Sequence, residues 1–161
     1  MFESILVTLD GSAYSERVLD YVPVLATAGT RITLLTVIPR SSPSDLIGAD
    51  RAPLPVGPFE DYLTERADRL TNSGLRHVAA EIRRGSPAQF IVEVARELRS
   101  ELIVMSTQGI SAENEHDLGG VASRVLMWAP CPVFMVRVQH PHPARNSAEE
   151  EWQSEGGANV G

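Results

Sequence analysis

Lysine is absent from this sequence. All 14 basic residues among its 161 are arginine. A Walker-A lysine, a kinase strand lysine and a Schiff-base lysine are therefore excluded. Cysteine occurs once, at Cys131, so no internal disulfide can form, which fits a reducing cytoplasm. Cys131 stands between two prolines, with no lysine or second cysteine nearby to activate it, and no catalytic thiolate is expected. Long apolar runs are also missing: none approaches the roughly 18 residues needed to cross a bilayer. The opening MFESILV carries Glu3 and no basic stretch, and is not expected to act as a signal peptide. Positive charge is scarce, with 21 acidic residues against the 14 arginines, a formal net charge of −7 and a pI near 5.1. A nucleic-acid-binding surface is not expected from that balance. Ser12, Ser15, Ser106 and Ser123 lie in no Gly-x-Ser-x-Gly elbow and have no obvious base, so a hydrolase triad is not expected either.

What is present suits one soluble domain: 17.5 kDa, 43% hydrophobic and 22% charged residues. A chain of this length can bury a core without metal or disulfide. Ser4 to Leu9 (SILVTL) predicts a buried strand, ended by Asp10-Gly11-Ser12. Ser12 suits the N-cap of a helix over Ala13 to about Ala28, with Val18, Leu19, Val22, Leu25 and Ala26 at helical spacing, Pro23 as a kink and Gly29 as a left-handed C′ residue. Arg31 to Ile38 predicts a second strand. Residues 39–58, with five prolines, read as a loop without a core of its own. Phe59 to about Ser73 predicts a helix closed by Gly74, and Arg76 to Arg83 an edge strand with one wet face.

Ser86 and Pro87 suit the N-cap and first turn of a further helix, with Phe90, Ile91, Val94, Ala95 and Leu98 as its buried stripe. Leu102 to Met105, wholly apolar, predicts a central strand. Gly119-Gly120 opens a helix containing Val121, Val125 and Leu126, and Val133 to Val138 predicts the last strand. The folded domain is thus expected over residues 1–138. Residues 139–161, with four glutamates against one arginine and little apolar content, are expected to be an acidic disordered tail. Alternation of strands and helices implies a doubly wound, Rossmann-like α/β domain, a parallel five-stranded sheet with helices on both faces. Its ligand crevice lies beyond the carboxyl ends of the strands where the strand order reverses. For an order of 3-2-1-4-5 that crevice is lined by Asp10-Gly11 and by Ser106-Thr107-Gln108-Gly109.

Gly109 is followed after nine residues by Gly119 and Gly120, at a helix start. Glycine admits a ligand close to the backbone, and a helix start offers N–H groups to an anion, so a phosphate site needs no lysine here. The same glycines would also serve as plain turn residues. Asp10 has two readings too: a ligand contact at the switch point, or an Asx turn that caps the helix. Glu113, Glu115, His116 and Asp117 match no recognised metal spacing and read as a solvated loop.

The segments ILVTLDGS (5–12), MSTQG (105–109), GGVASRVL (119–126) and APCPV (129–133) resemble the universal stress protein family. The resemblance covers about residues 3–138. It implies the doubly wound fold, a homodimer, and in many members ATP binding through Gly-x2-Gly-x9-Gly-Ser/Thr. Ser106 stands in the place of the first glycine, Gly109 and Gly119 match, and Gly120 replaces the Ser/Thr, which removes a hydroxyl that would bond phosphate.

Carried over by resemblance, Asp10 would contact the ribose or a phosphate-linked metal, and Val37 would offer backbone groups to adenine. Thr8, Leu9 and Met105 would line the base pocket. Ser106, Gly109, Gly119, Gly120, Val121 and Ala122 would supply backbone contacts to the phosphates, with Thr107 inside the same loop. The acidic residues of 113–117 would repel a triphosphate unless a divalent cation such as magnesium lay between. The function so implied is a cytoplasmic homodimer that binds ATP or a related adenine nucleotide in stress response, with little or no hydrolysis. The homodimer would form through Val133, Phe134, Met135 and Val136 of the last strand, whose apolar edge needs a cover. The rival reading is a member of the same fold that binds partners and no nucleotide.

Overall fold

The computed structural model describes residues 1–40, 56–108 and 118–137. Five runs rich in branched aliphatic residues form five strands: β1 (Ser4–Thr8), β2 (Arg31–Ile38), β3 (His77–Arg84), β4 (Leu102–Ser106) and β5 (Val133–Val136). All neighbours pair in parallel, in the order β3-β2-β1-β4-β5, as the alternation predicts. Val7 at the centre faces Leu34 of β2 and Val104 of β4.

The sheet's two faces each bury a layer, because side chains alternate along a strand. On one face Ile5, Val7 and Leu34 pack with Val18, Leu19, Leu63 and Leu70. On the other Leu6, Leu35 and Ile103 pack with Ile91, Val94, Ala95 and Val125. The first layer is covered by α3 (Gly57–Asn72) and the short elements after β1, the second by α4 (Pro87–Glu97) and α5 (Gly120–Trp128). Every residue of β4 is buried, as expected of a central strand, whereas β3 has none fully buried and lies at the edge.

The single helix expected over Ala13 to Ala28 is broken into three pieces. They are α1 (Ala13–Glu16), a 3₁₀ turn (Arg17–Asp20) and α2 (Val22–Leu25). Pro23 is the physical reason for the break before α2: it has no N–H for the Leu19 carbonyl, and its ring crowds that carbonyl. Pro23 instead occupies the first turn of α2, where a missing N–H costs nothing. Gly29 does not serve as a left-handed C′ residue; the helix ends earlier, with Ala26 extended at its C-cap. Gly74, in contrast, does close α3, at φ +100°. Ser86 takes the N-cap position of α4 without a side-chain capping bond. β5 is shorter than expected, and Val138 lies outside the described residues. So do residues 41–55 of the proline-rich loop and the whole 139–161 tail.

Gly85 sets the entry to α4. Its φ is +148°, its N–H donates to the Ile38 carbonyl at 2.9 Å, and an added Cβ would stand 2.4 Å from the Phe90 ring. Gly85→Ala is expected to lower the unfolding free energy by about 1–3 kcal/mol through backbone strain and the clash. Urea denaturation checks this; an unchanged midpoint would contradict it.

Candidate functional site

β1 hands over to α1 through a turn that its own side chains build. Gly11 takes φ +84°, which glycine adopts without a Cβ penalty. Asp10 Oδ1 accepts the Ser12 N–H at 2.9 Å and the Ser12 hydroxyl at 2.6 Å. Ser12 Oγ in turn caps α1 by accepting the Ser15 N–H at 3.1 Å. Ser15, itself buried, accepts the Asp10 N–H at 3.2 Å and donates to the Ser12 carbonyl at 3.0 Å. The Asx-turn reading of Asp10 is thus realised, and the same residue also faces the crevice.

The β4 end is held as firmly. Ser106 donates its hydroxyl to the Gln108 carbonyl, and Thr107 donates its N–H to the Val136 carbonyl at 3.1 Å. Gly119, the N-cap of α5, donates its N–H to the Thr107 carbonyl at 2.9 Å. A Cβ at Gly119 would sit 3.2 Å from that carbonyl, so glycine permits this close approach. The N–H groups of Gly120, Val121 and Ala122 follow in the first turn of α5, where no intrahelical acceptor exists.

Between these ends lies a cavity of about 360 Å³. Its walls come from the carboxyl ends of three strands and the start of α5. Thr8 ends β1, and Leu9 and Asp10 follow it; Val37 lies on β2; Met105 and Ser106 end β4, and Thr107 follows; Gly119, Gly120, Val121 and Ala122 open α5. Eleven of the twelve residues nominated from sequence therefore share one cavity. The twelfth, Gly109, lies outside the described residues, as do the acidic residues 113–117.

Sequence reasoning missed several wall residues. Thr36 had a visible signal, a hydroxyl within an apolar strand; it donates to the Leu9 carbonyl at 2.8 Å and locks the β2 end to the β1 end. Gln108, a buried amide that the strand order places at the crevice, does line it. Phe59, Pro87 and Ile91 arrive from α3 and α4, and only the packing of helices brings them in.

Among the described lining residues Asp10 is the one ionisable side chain, and no arginine lines the cavity. Among the described residues there is also no group of three His, Cys, Asp or Glu side chains placed to hold a metal. Burial pushes the Cys131 thiol up, which disfavours the thiolate. No described helix is long and apolar enough to cross a membrane.

Next to the β1 turn, Arg66 of α3 pairs with Glu16 of α1 at 2.9 Å and lies 4.8 Å from the Tyr62 ring centre. Burial, and then the Glu16 charge, push the Tyr62 hydroxyl up to about 12 against the pull of Arg66. Folding therefore holds the Tyr62 proton more tightly than the unfolded chain does. Its stabilising effect is whole below pH 10 and is lost as pH rises from about 10 to about 12. Absorbance titration should show one late-ionising tyrosine that Tyr62→Phe removes; loss of a different component would contradict this.

The sequence pattern of the universal stress protein family matches residues 1–137. The chain belongs to that family. A Thermus aquaticus relative, the universal stress protein in the QAH/OAS sulfhydrylase 3′ region, is 32% identical over 146 residues, covering 85% of this chain and all of the relative. Universal stress protein UspA of Lactobacillus plantarum superposes with a TM-score of 0.69 at 23% identity, over 83% of this chain and 97% of its own. A universal stress protein solved in complex with cAMP gives 0.64 at 24%, over 84% and 97%. One from Archaeoglobus fulgidus solved in complex with dAMP gives 0.58 at 21%, over 82% and 95%. Likeness at that identity shows the shared fold.

Proposed function

We propose that this universal stress protein binds an adenine nucleotide, ATP or a relative of it with or without magnesium, in the crevice beyond β1, β2 and β4. The carrying observation is that one cavity of about 360 Å³ at the switch point of the sheet gathers residues from six separate sequence segments. Its walls suit the halves of a nucleotide. Leu9, Val37, Ile91 and Met105 offer apolar contact to a base, and the first turn of α5 offers N–H groups to a phosphoryl group. The cAMP and dAMP bound by two proteins of this fold agree with that division.

Turnover is slow or nil in this reading. Asp10 is the one ionisable side chain lining the described cavity, and its Oδ1 is bound into the β1 turn. The protein acts in stress response in the cytoplasm as a nucleotide-responsive accessory rather than an enzyme. Calorimetric titration with AMP, cAMP and ATP, with and without magnesium, tests the binding. Saturable one-to-one uptake is expected; no binding at millimolar nucleotide would overturn it and favour the partner-binding reading, to which the missing hydroxyl at Gly120 lends weight.

The same proposal includes a homodimer through β5. Val133, Phe134 and Met135 lie half-buried on an edge strand. The Phe134 ring lies 5.7 Å from that of the half-exposed Tyr21, tilted by 50°, and Leu126, Met127 and Trp128 of α5 are also exposed. An apolar edge of this kind is covered by a copy about a two-fold axis. Sedimentation should give about twice the 17.5 kDa chain mass; a monomer at micromolar concentration would contradict it.

A further inference from the structure

We infer that the Phe59 ring of α3 stacks on the base of the bound nucleotide. This rests on the adenine-nucleotide reading and adds to it a contact from a helix rather than from a strand end.

The topology brings α3 to the crevice. β2 and β3 are parallel neighbours, so the chain between them must run back along the sheet. α3 therefore begins at the carboxyl ends of the strands, where the cavity opens. Phe59 lies in its first turn, and its N–H donates to the Val56 carbonyl at 2.9 Å. Tyr62 and Ala67 of the same helix pack into the core layer beneath α3, whereas the half-buried Phe59 lines the cavity. It is the one aromatic side chain among the described lining residues. Residues 41–55 and 109–117 contain no aromatic residue in their sequence, so neither segment offers a second.

The cavity draws its apolar lining from both layers of the fold. Leu9 belongs to the layer beneath α3; Val37, Ile91 and Met105 belong to the layer beneath α4 and α5. Phe59 therefore enters on the Leu9 side, across the cavity from the other three. A flat base suits a slot of this kind, with one face toward an aromatic ring. The ring is also held in advance. One turn on, Leu63 is fully buried, and two turns on, Arg66 pairs with Glu16 of α1 at 2.9 Å. Arg69 pairs with Asp20 of the 3₁₀ turn at 2.7 Å. A ring positioned before the ligand arrives loses little freedom on binding. Base stacking on an aromatic side chain is worth on the order of 5- to 150-fold in affinity.

Calorimetric titration with AMP of the full chain and of Phe59→Leu and Phe59→Trp tests this. Phe59→Leu keeps apolar bulk, so its thermal midpoint should stay within a few degrees while its affinity falls about tenfold. Phe59→Trp restores an aromatic face and should bind within about threefold of the unsubstituted protein. Its added indole should also report the contact: AMP should quench its emission saturably, with a midpoint equal to the calorimetric Kd. The unsubstituted protein, with Trp128 and Trp152 alone, supplies the baseline for that signal. A Phe59→Leu variant that binds AMP as well as the unsubstituted protein would overturn the inference while leaving the adenine site intact. So would a Phe59→Trp variant that binds AMP with no emission change beyond the baseline. Failure of the unsubstituted protein to bind AMP at millimolar concentration would remove the adenine-nucleotide reading itself, and this inference with it.

Discussion

Gly120→Glu is expected to weaken adenine-nucleotide binding by roughly a hundredfold. The added carboxylate would stand at the head of α5, where the proposed phosphoryl group meets the helix N–H groups. One unit charge about 5 Å from another costs on the order of 3 kcal/mol at an effective dielectric of about 20, which is roughly two decades in Kd. The fold should be indifferent. A Cβ at Gly120 meets no atom within 4 Å, its φ is not in the left-handed region, and an acid in the first turn of a helix is mildly favourable. Binding and stability therefore separate in one variant: titration with AMP should show the loss, and the thermal midpoint should stay within a few degrees. An unchanged affinity would mean that the phosphoryl group lies elsewhere.

Leu34→Ala is the largest expected effect on folding. Leu34 is fully buried in β2, paired in register with Val7 of β1 and Ala80 of β3. Its side chain packs in the layer that also holds Leu63 and Leu70 of α3. Truncation there removes buried methyl groups and leaves a cavity between the sheet and α3, costing about 2–5 kcal/mol. A domain of this size has about 5–15 kcal/mol in all, so the urea midpoint should fall steeply. Val24→Ala, at a position 83% exposed, should change it by less than about 0.5 kcal/mol. Equal effects at the two positions would contradict the layer assignment.

The strand order and the switch-point crevice were legible because they rest on strong local signals. LIVM at 102–105 has no polar face, and the described β4 is buried throughout. Asp10-Gly11-Ser12 carries its turn chemistry in three adjacent residues, and each of its bonds forms. The first helix was misjudged where two local signals conflict. The spacing of Val18, Leu19 and Val22 is helical, and all three do become buried, but Pro23 has no N–H for the Leu19 carbonyl, and the helix breaks before α2. Spacing reports which side chains face the core and is blind to whether the backbone stays continuous. The cavity's remaining walls were illegible for a different reason. Phe59 and Ile91 are ordinary helix residues by sequence, and only the packing of α3 and α4 against the sheet turns them toward Asp10.

The central claim, that this cavity is where an adenine nucleotide sits, is tested most directly by photolabelling with 8-azido-AMP followed by peptide mapping. Trypsin cuts this lysine-free chain only after arginine, so the end of β2 is released as the fragment Ile32–Arg40. The label should fall on that fragment, on the fragment that carries Met105 to Gln108, or on both, and excess unlabelled AMP should suppress it. Labelling confined to other fragments, or labelling that AMP does not displace, would contradict the assignment.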